Sequence, residues 1–424
     1  MGAARRRPRD SARVMMPMPH GPVDRQTVGA DADPERMAVL LLEMVRIPSP
    51  TGHSGAAACH YAEQLRTLGM AVEMSTEFRG APSVVARLSL GGPGPVLEFN
   101  GHLDTVPVPH APPRREGSRI YGRGAADMKG GLVAICEAVR LLAARREALR
   151  GELLVVAHGL HEAPTGYGED LAALVRRGVK GDAAIVAEGA STILPVVGKG
   201  NVVFEVTIRR DGEATHEVRT PPGTPNPLLL AAEVVRGMAA RSRELASAPL
   251  PHVGPETYFV GMLHSGDFYN RFPTAAQITG TRRYGVRTGF ARVRQELEEV
   301  VAHAVEGHDV VWEVWAQRDR DAFELDPLSP IVAAVRNAYR EVTGQPLPLG
   351  GVSIVGDVSI FVNDGGIPAV YHGPQGAGAH GDVEWIEVNE LVRAARVYVQ
   401  AARHYLGDGR RAVADDASRV EEWA

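Results

Sequence analysis

The sequence is short of cysteine, of aromatic residues and of positive charge. Its 424 residues include 2 cysteines, and aromatic side chains make up 5%. Cys59 and Cys136 cannot build a disulfide framework, which excludes a small cystine-stapled fold. Both lie in helix-like apolar patterns and read as small core residues of a chain kept in a reducing, cytoplasmic compartment. No apolar run reaches about eighteen residues, so no membrane-spanning helix is expected. A formal net charge of −5 argues against a nucleic-acid partner. The one basic cluster, Arg5, Arg6 and Arg7, sits in a tail without hydrophobic periodicity. A secretory leader needs a continuous apolar segment, and Met15–Pro19 is too short and broken by prolines. Residues 1–32 therefore read as a disordered N-terminal extension, or as a start placed too early relative to Met15 or Met16. Residues 407–424 read as a frayed, charged tail.

What remains has the balance of a soluble globular protein, with 44% apolar and 23% charged residues. It is long enough for about two domains. Asp33-Pro34-Glu35 opens a helix, and a second runs over about 55–68. Strands are expected near 71–74, 83–88, 96–99, 152–157 and 183–187, with helices over 132–148 and 168–177. Fully apolar strands alternating with helices imply a largely parallel sheet covered on both faces. From about Gly198 the texture changes. Residues 201–209 alternate in the manner of a half-buried antiparallel strand. Strands near 256–263, 277–284 and 309–316 and helices near 227–245 and 292–305 complete a two-layer α+β unit. The first style resumes after Asp326-Pro327. The boundaries read as a first catalytic part over 33–197, an inserted domain over 198–318, and a second catalytic part over 319–406.

The chemistry gathers at strand ends. The apolar run Pro95–Phe99 leads into Asn100–Pro107, where His102 and Asp104 sit two apart and so share one face of an extended chain. Asp127 lies in a glycine-rich turn before a helix, His161 and Glu162 follow the strand ending near Ala157, and Glu188 follows the next strand. Ligands collect outside the carboxyl ends of parallel strands. With His380, in Gly376–Gly381, the set offers imidazoles and carboxylates that suit zinc, in numbers that suit two ions sharing a carboxylate. No cysteine takes part, so this is no zinc finger. Read residue by residue, Asp127 could instead be a helix cap, Glu188 a solvated strand end and His380 a loop histidine, and at least one of His158 and His161 reads as structural.

Over residues 34–405 the chain resembles the zinc-dependent superfamily of aminoacylases, acetylornithine deacetylases, succinyl-diaminopimelate desuccinylases and carboxypeptidases. Asn100–Pro107, Tyr121–Gly131 and Gly373–Trp385 look like its motifs. The resemblance implies a zinc-peptidase-like α/β catalytic domain and an inserted, ferredoxin-like domain serving dimerisation or as a lid. It implies two zinc ions, with cobalt or manganese as substitutes, held by His102, Asp127 as the bridge, Glu162, Glu188 and His380. Asp104 would orient His102 from behind, and Glu384 stands in its usual place. The implied reaction is hydrolysis of the amide of an N-acyl amino acid or short peptide. One departure stands out. The family has two adjacent glutamates, the first a general base and the second a ligand, whereas here the pair is His161-Glu162. His161 is then the base, since a neutral imidazole accepts a proton near neutral pH. Alternatively Glu162 is the base, or catalysis is lost and the chain is a silent metal-binding or regulatory protein. On the inserted domain, His216 matches a histidine that serves the partner subunit's oxyanion in a homodimer. Asn270 and Arg283 match substrate-binding positions, with Arg282 as a contender. Gly122-x-Gly124 lacks the rest of a dinucleotide fingerprint.

Overall fold

The computed structural model describes residues 31–407. The expected extension lies outside the described residues except for Asp31 and Ala32, and so does the tail beyond Gly407. Those two residues are not loose. Ala32 is buried, Asp31 pairs with Arg396, and its carbonyl accepts from Arg140.

A six-stranded sheet forms the centre. Its order is Ala71–Ser75, Ser83–Ser89, Glu152–His158, Val96–His102, Ala183–Val186 and Ala369–Tyr371. The first two pairings are antiparallel and the last three parallel. The sheet is therefore mixed, with a parallel half that the apolar strands Leu153–Val156 and Ala183–Val186 foreshadow. Helices Pro34–Arg46, Gly55–Thr67, Lys129–Ala143, Pro330–Thr343 and Val388–Leu406 share one apolar cluster with one face, and helix Glu169–Arg176 packs on the other. The helix expected over 132–148 starts earlier, at Lys129, and ends at Ala143, with a separate short turn over Arg146–Ala148. Its first turn lies close against the sheet. A Cβ on Gly131 would stand 2.0 Å from the Ala187 carbonyl oxygen, so only glycine permits this approach. Lys129, buried here, gives its ammonium to the carbonyls of Met44 and Ile47 at the end of the first helix.

The inserted unit runs strand, helix, strand, strand, helix, strand. Its antiparallel sheet has the order Thr257–Ser265, Ala275–Tyr284, Gly200–Arg209 and Val311–Arg320, which is the ferredoxin-like arrangement. Ala275–Tyr284 alternates between half-buried and buried residues along its length, as a sheet with one covered face requires. Val202, Phe204, Val206 and Ile208 pack there on Leu230 and Val234 of one helix and on Val293, Leu297 and Val301 of the other. No helix among the described residues is long and apolar enough to cross a membrane. Cys136 is buried as expected, but Cys59 is exposed; its helical position faces outward.

Candidate metal centre

The parallel half of the sheet sets the geometry. Strands Glu152–His158, Val96–His102, Ala183–Val186 and Ala369–Tyr371 are neighbours running the same way, so their carboxyl ends share one edge. His102 ends one of them. His161 and Glu162 follow the second, Glu188 the third, and His380 the fourth at the far end of a loop.

His102 is fully buried, and its Nε2 lies 3.1 Å from Asp127 Oδ1. Asp127 Oδ2 lies 3.2 Å from His380 Nε2, which is also 3.1 Å from Glu162 Oε1. Asp127 thus presents one oxygen to each imidazole. The donor atoms of His102, Asp127 and Glu162 lie within 4.8 Å of one another, as do those of His102, His161 and Glu188. Glu188 Oε2 is buried with no hydrogen-bond partner. Leaving a buried carboxylate oxygen unpaired is costly, and a cation would satisfy it. Imidazole nitrogens and carboxylate oxygens at these separations fit a site for divalent metal.

In the metal-free chain, protons shape the charge. Burial opposes the His102 charge, but Asp127, Asp104 and Glu162 outweigh it and hold the imidazole well above its ordinary range. Hydrogen bonds that it donates to Asp127 and Glu162 push His380 up to about 10. Burial pushes Glu188 up to about 7. Burial opposes ionisation of Asp127, yet His102 and His380 bring it well below the usual carboxylate range. A metal must displace such protons. His380 titrates near 10 and so carries a proton at pH 7 that binding expels. Metal binding at pH 7 is therefore expected to release protons, with an apparent affinity that rises as pH climbs toward 10. Calorimetry in buffers of different ionisation enthalpy counts them, and a count of zero would contradict this picture.

Supporting contacts fix the donors. Glu384, buried, accepts from the backbone N–H groups of Gly124, Ala126 and Asp127 and from Arg123 at 2.8–3.0 Å, so it pins the turn that carries Asp127. Asp104 differs from expectation in detail. The His102 Nδ1 partner is its backbone carbonyl, at 2.9 Å, while its carboxylate stays 3.7 Å away. That carboxylate accepts instead from Thr51 and from the backbone N–H groups of His161 and Glu162. It orients the next pair of site residues more directly than the histidine two positions before it.

His161 lies parallel to His102, with ring centroids 4.0 Å apart and planes 7° apart. Its Nδ1 is 2.9 Å from Asp357 Oδ2. His158 is the deeper of the two neighbours. It is wholly buried, with Nε2 on Asp357 at 2.9 Å and Nδ1 3.4 Å from Asp170. Burial opposes its charge, but Asp357 and Asp170 prevail and raise it to about 10. Burial likewise opposes protonation of His161, and Asp357 leaves it above its ordinary value. Sequence reading missed Asp357. It follows no strand end and carries no motif spacing.

His216 and Asn270 come together with each other, Nε2 to amide at 3.0 Å, on an exposed part of the inserted unit. Among the described residues, none of their hydrogen bonds reaches the Asp127 cluster. Arg283 reaches across to the Ser353 carbonyl at 2.9 Å. Arg282 is no substrate clamp: it is fully buried between Glu256 and Glu296, at 2.6 and 3.0 Å, against the Tyr258 ring. Removing one partner of a buried ion pair costs about 3–5 kcal/mol. Arg282→Ala should lose that much in denaturant unfolding, and Arg283→Ala under about 1 kcal/mol.

Comparison with known proteins agrees with this architecture. Succinyl-diaminopimelate desuccinylase of Rhodospirillum centenum is 29% identical over 383 residues, covering 85% of this chain and 94% of the relative. Among solved structures, the M20 family metallo-carboxypeptidase Sso-CP2 of Sulfolobus solfataricus superposes with a TM-score of 0.74 at 18% identity, over 87% of this chain and 99% of the other. A dinuclear metal binding peptidase from the M20 family of Bacillus subtilis superposes with a TM-score of 0.65 at 16% identity, over 87% and 97%. Residues 99–404, which hold every candidate donor, match peptidase family M20/M25/M40. The chain belongs to that family.

Proposed function

We propose that the protein is a metal-dependent amidohydrolase that cleaves an N-acyl amino acid or a short peptide. The observation that carries this reading is the Asp127 carboxylate, with one oxygen facing His102 and the other His380, beside the unpartnered oxygen of Glu188. His102, Asp127 and Glu188 would hold one zinc ion, and Asp127, Glu162 and His380 a second. Cobalt or manganese would substitute. The metal pair, when bound, supplies an acidified water and polarises the scissile carbonyl. The chain's own residues do the rest. His161 takes the proton of the attacking water and passes it to the leaving amine. Arg283 clamps a substrate carboxylate, and Asn270 holds His216. A screen of N-acetyl, N-succinyl and N-formyl amino acids and dipeptides with added zinc, cobalt or manganese tests the reading. The His161 departure favours one second reading, a chain that binds metal without turnover, and the same screen separates the two.

We read residues 198–318 as the inserted domain through which two copies pair, with His216 of each stabilising the oxyanion in the other's site. Its exposure, and hydrogen bonds that among the described residues stay within the inserted unit, support this. Mixing His216→Ala chains with Asp127→Ala chains should then restore about a quarter of the sites, because half of randomly formed two-fold dimers are hybrids with one complete site. No recovery on mixing would remove the cross-subunit role. Two free cysteines, one of them exposed, are in keeping with a cytoplasmic setting.

A further inference from the structure

The family's glutamate base is symmetric between its two oxygens, so it needs no control over which atom carries a proton. A histidine base does. A neutral imidazole has one N–H and one lone pair, and only the nitrogen facing the reaction can accept. Substituting histidine at this position therefore creates a requirement that the usual motif does not meet.

The residues around His161 meet it. Asp357 is fully buried, and its Oδ2 stands 2.9 Å from His161 Nδ1. The same oxygen accepts from His158 Nε2 at 2.9 Å, and Oδ1 accepts from Arg320 Nη2 at 3.0 Å. Arg320 is itself buried and is the last residue of the strand Val311–Arg320, by which the chain leaves the inserted unit. His158 and Arg320, from two segments of the chain, thus hold the carboxylate that faces His161. On the other side, the His161 ring lies flat on His102. One nitrogen and one face of the imidazole are occupied, and Nε2 is the nitrogen left to face the donors of His102 and Glu188.

We propose that Asp357 is the positioning residue of His161. By accepting from Nδ1–H it fixes the tautomer whose Nε2 lone pair faces the metal centre, and Arg320 locks Asp357 in that role. This rests on His161 being the base. The proton on Nδ1 stays there throughout, and Nε2 gains the water's proton and gives it to the amine. The arrangement parallels the carboxylate–imidazole pairing that keeps other catalytic histidines in register.

Two measurements test it. The first needs no substrate. In zinc-loaded, histidine-labelled protein, the nitrogen-15 shifts of His161, assigned with the His161→Ala variant, should place the ring proton on Nδ1. A proton on Nε2 overturns the proposal, whether or not any Asp357 variant folds. The second is a double-mutant cycle on the best-cleaved amide of the screen. Asp357→Asn should lower kcat by about 10- to 100-fold, with KM and bound zinc unchanged. In the His161→Ala background it should cost nothing further, because a residue acting through another has no effect once that one is gone. Effects that multiply, or a loss of zinc in Asp357→Asn, overturn it. If His161→Ala alone leaves turnover unchanged, the base assignment is what fails, and the tautomer result still stands on its own.

Discussion

Asp127→Ala is expected to abolish hydrolysis and to reduce the metal bound per chain. Its carboxylate would bridge the two halves of the proposed centre, with Oδ1 at 3.1 Å from His102 and Oδ2 at 3.2 Å from His380. In the proposed centre Glu162 and Glu188 would each serve one ion, so neither replaces it. Metal-assisted hydrolysis draws several kcal/mol of transition-state stabilisation from the ions, and about 1.4 kcal/mol corresponds to tenfold in rate. The loss should therefore be at least about 10³-fold. It would be seen in turnover and, independently, in metal content by elemental analysis. A variant that keeps full metal content and appreciable turnover would remove Asp127 from the centre.

His161→Ala should lower kcat by about 10²- to 10⁴-fold, the range over which positioned general bases contribute. Metal content should stay the same, since neither half of the proposed centre needs His161. His161→Glu restores the pair of glutamates usual in the family and should recover part of the rate. Unchanged turnover in the alanine variant would sink the histidine base and leave Glu162 in that role. The Glu162 geometry argues for the ligand role instead, because Oε1 lies 3.1 Å from His380 Nε2, and hydrogen bonding there brings its carboxyl below its ordinary value despite burial.

Much of this was legible in the sequence, for a physical reason. Parallel strands bury both faces, so they appear as short apolar runs, and the polar residue that ends each run is exposed to the edge where ligands gather. His102 and Glu188 are readable in this way. The inserted unit was readable from its period of two, which survives in the alternating burial of Ala275–Tyr284. What escaped notice were pairings without local pattern. Asp357 meets His161 across 196 residues, from a turn that no periodicity marks. Glu384 reaches the turn before Asp127 from more than 250 residues away. The Asp104 carboxylate faces the His161 backbone because the chain turns back there, which spacing alone does not reveal. Arg282 and Arg283 are adjacent, and only the faces of their strand assign one to a buried ion pair and the other to the Ser353 loop.

The central claim is that this chain hydrolyses amides through a metal pair held on Asp127. The most direct measurement is a metal titration of chelator-stripped protein, following bound zinc and amide hydrolysis in the same sample. Without metal there should be no turnover; about two ions per chain should be taken up, and hydrolysis of an N-acyl amino acid or dipeptide should rise with uptake and disappear again on chelation. Stoichiometric zinc with no hydrolysis of any such amide would contradict the claim.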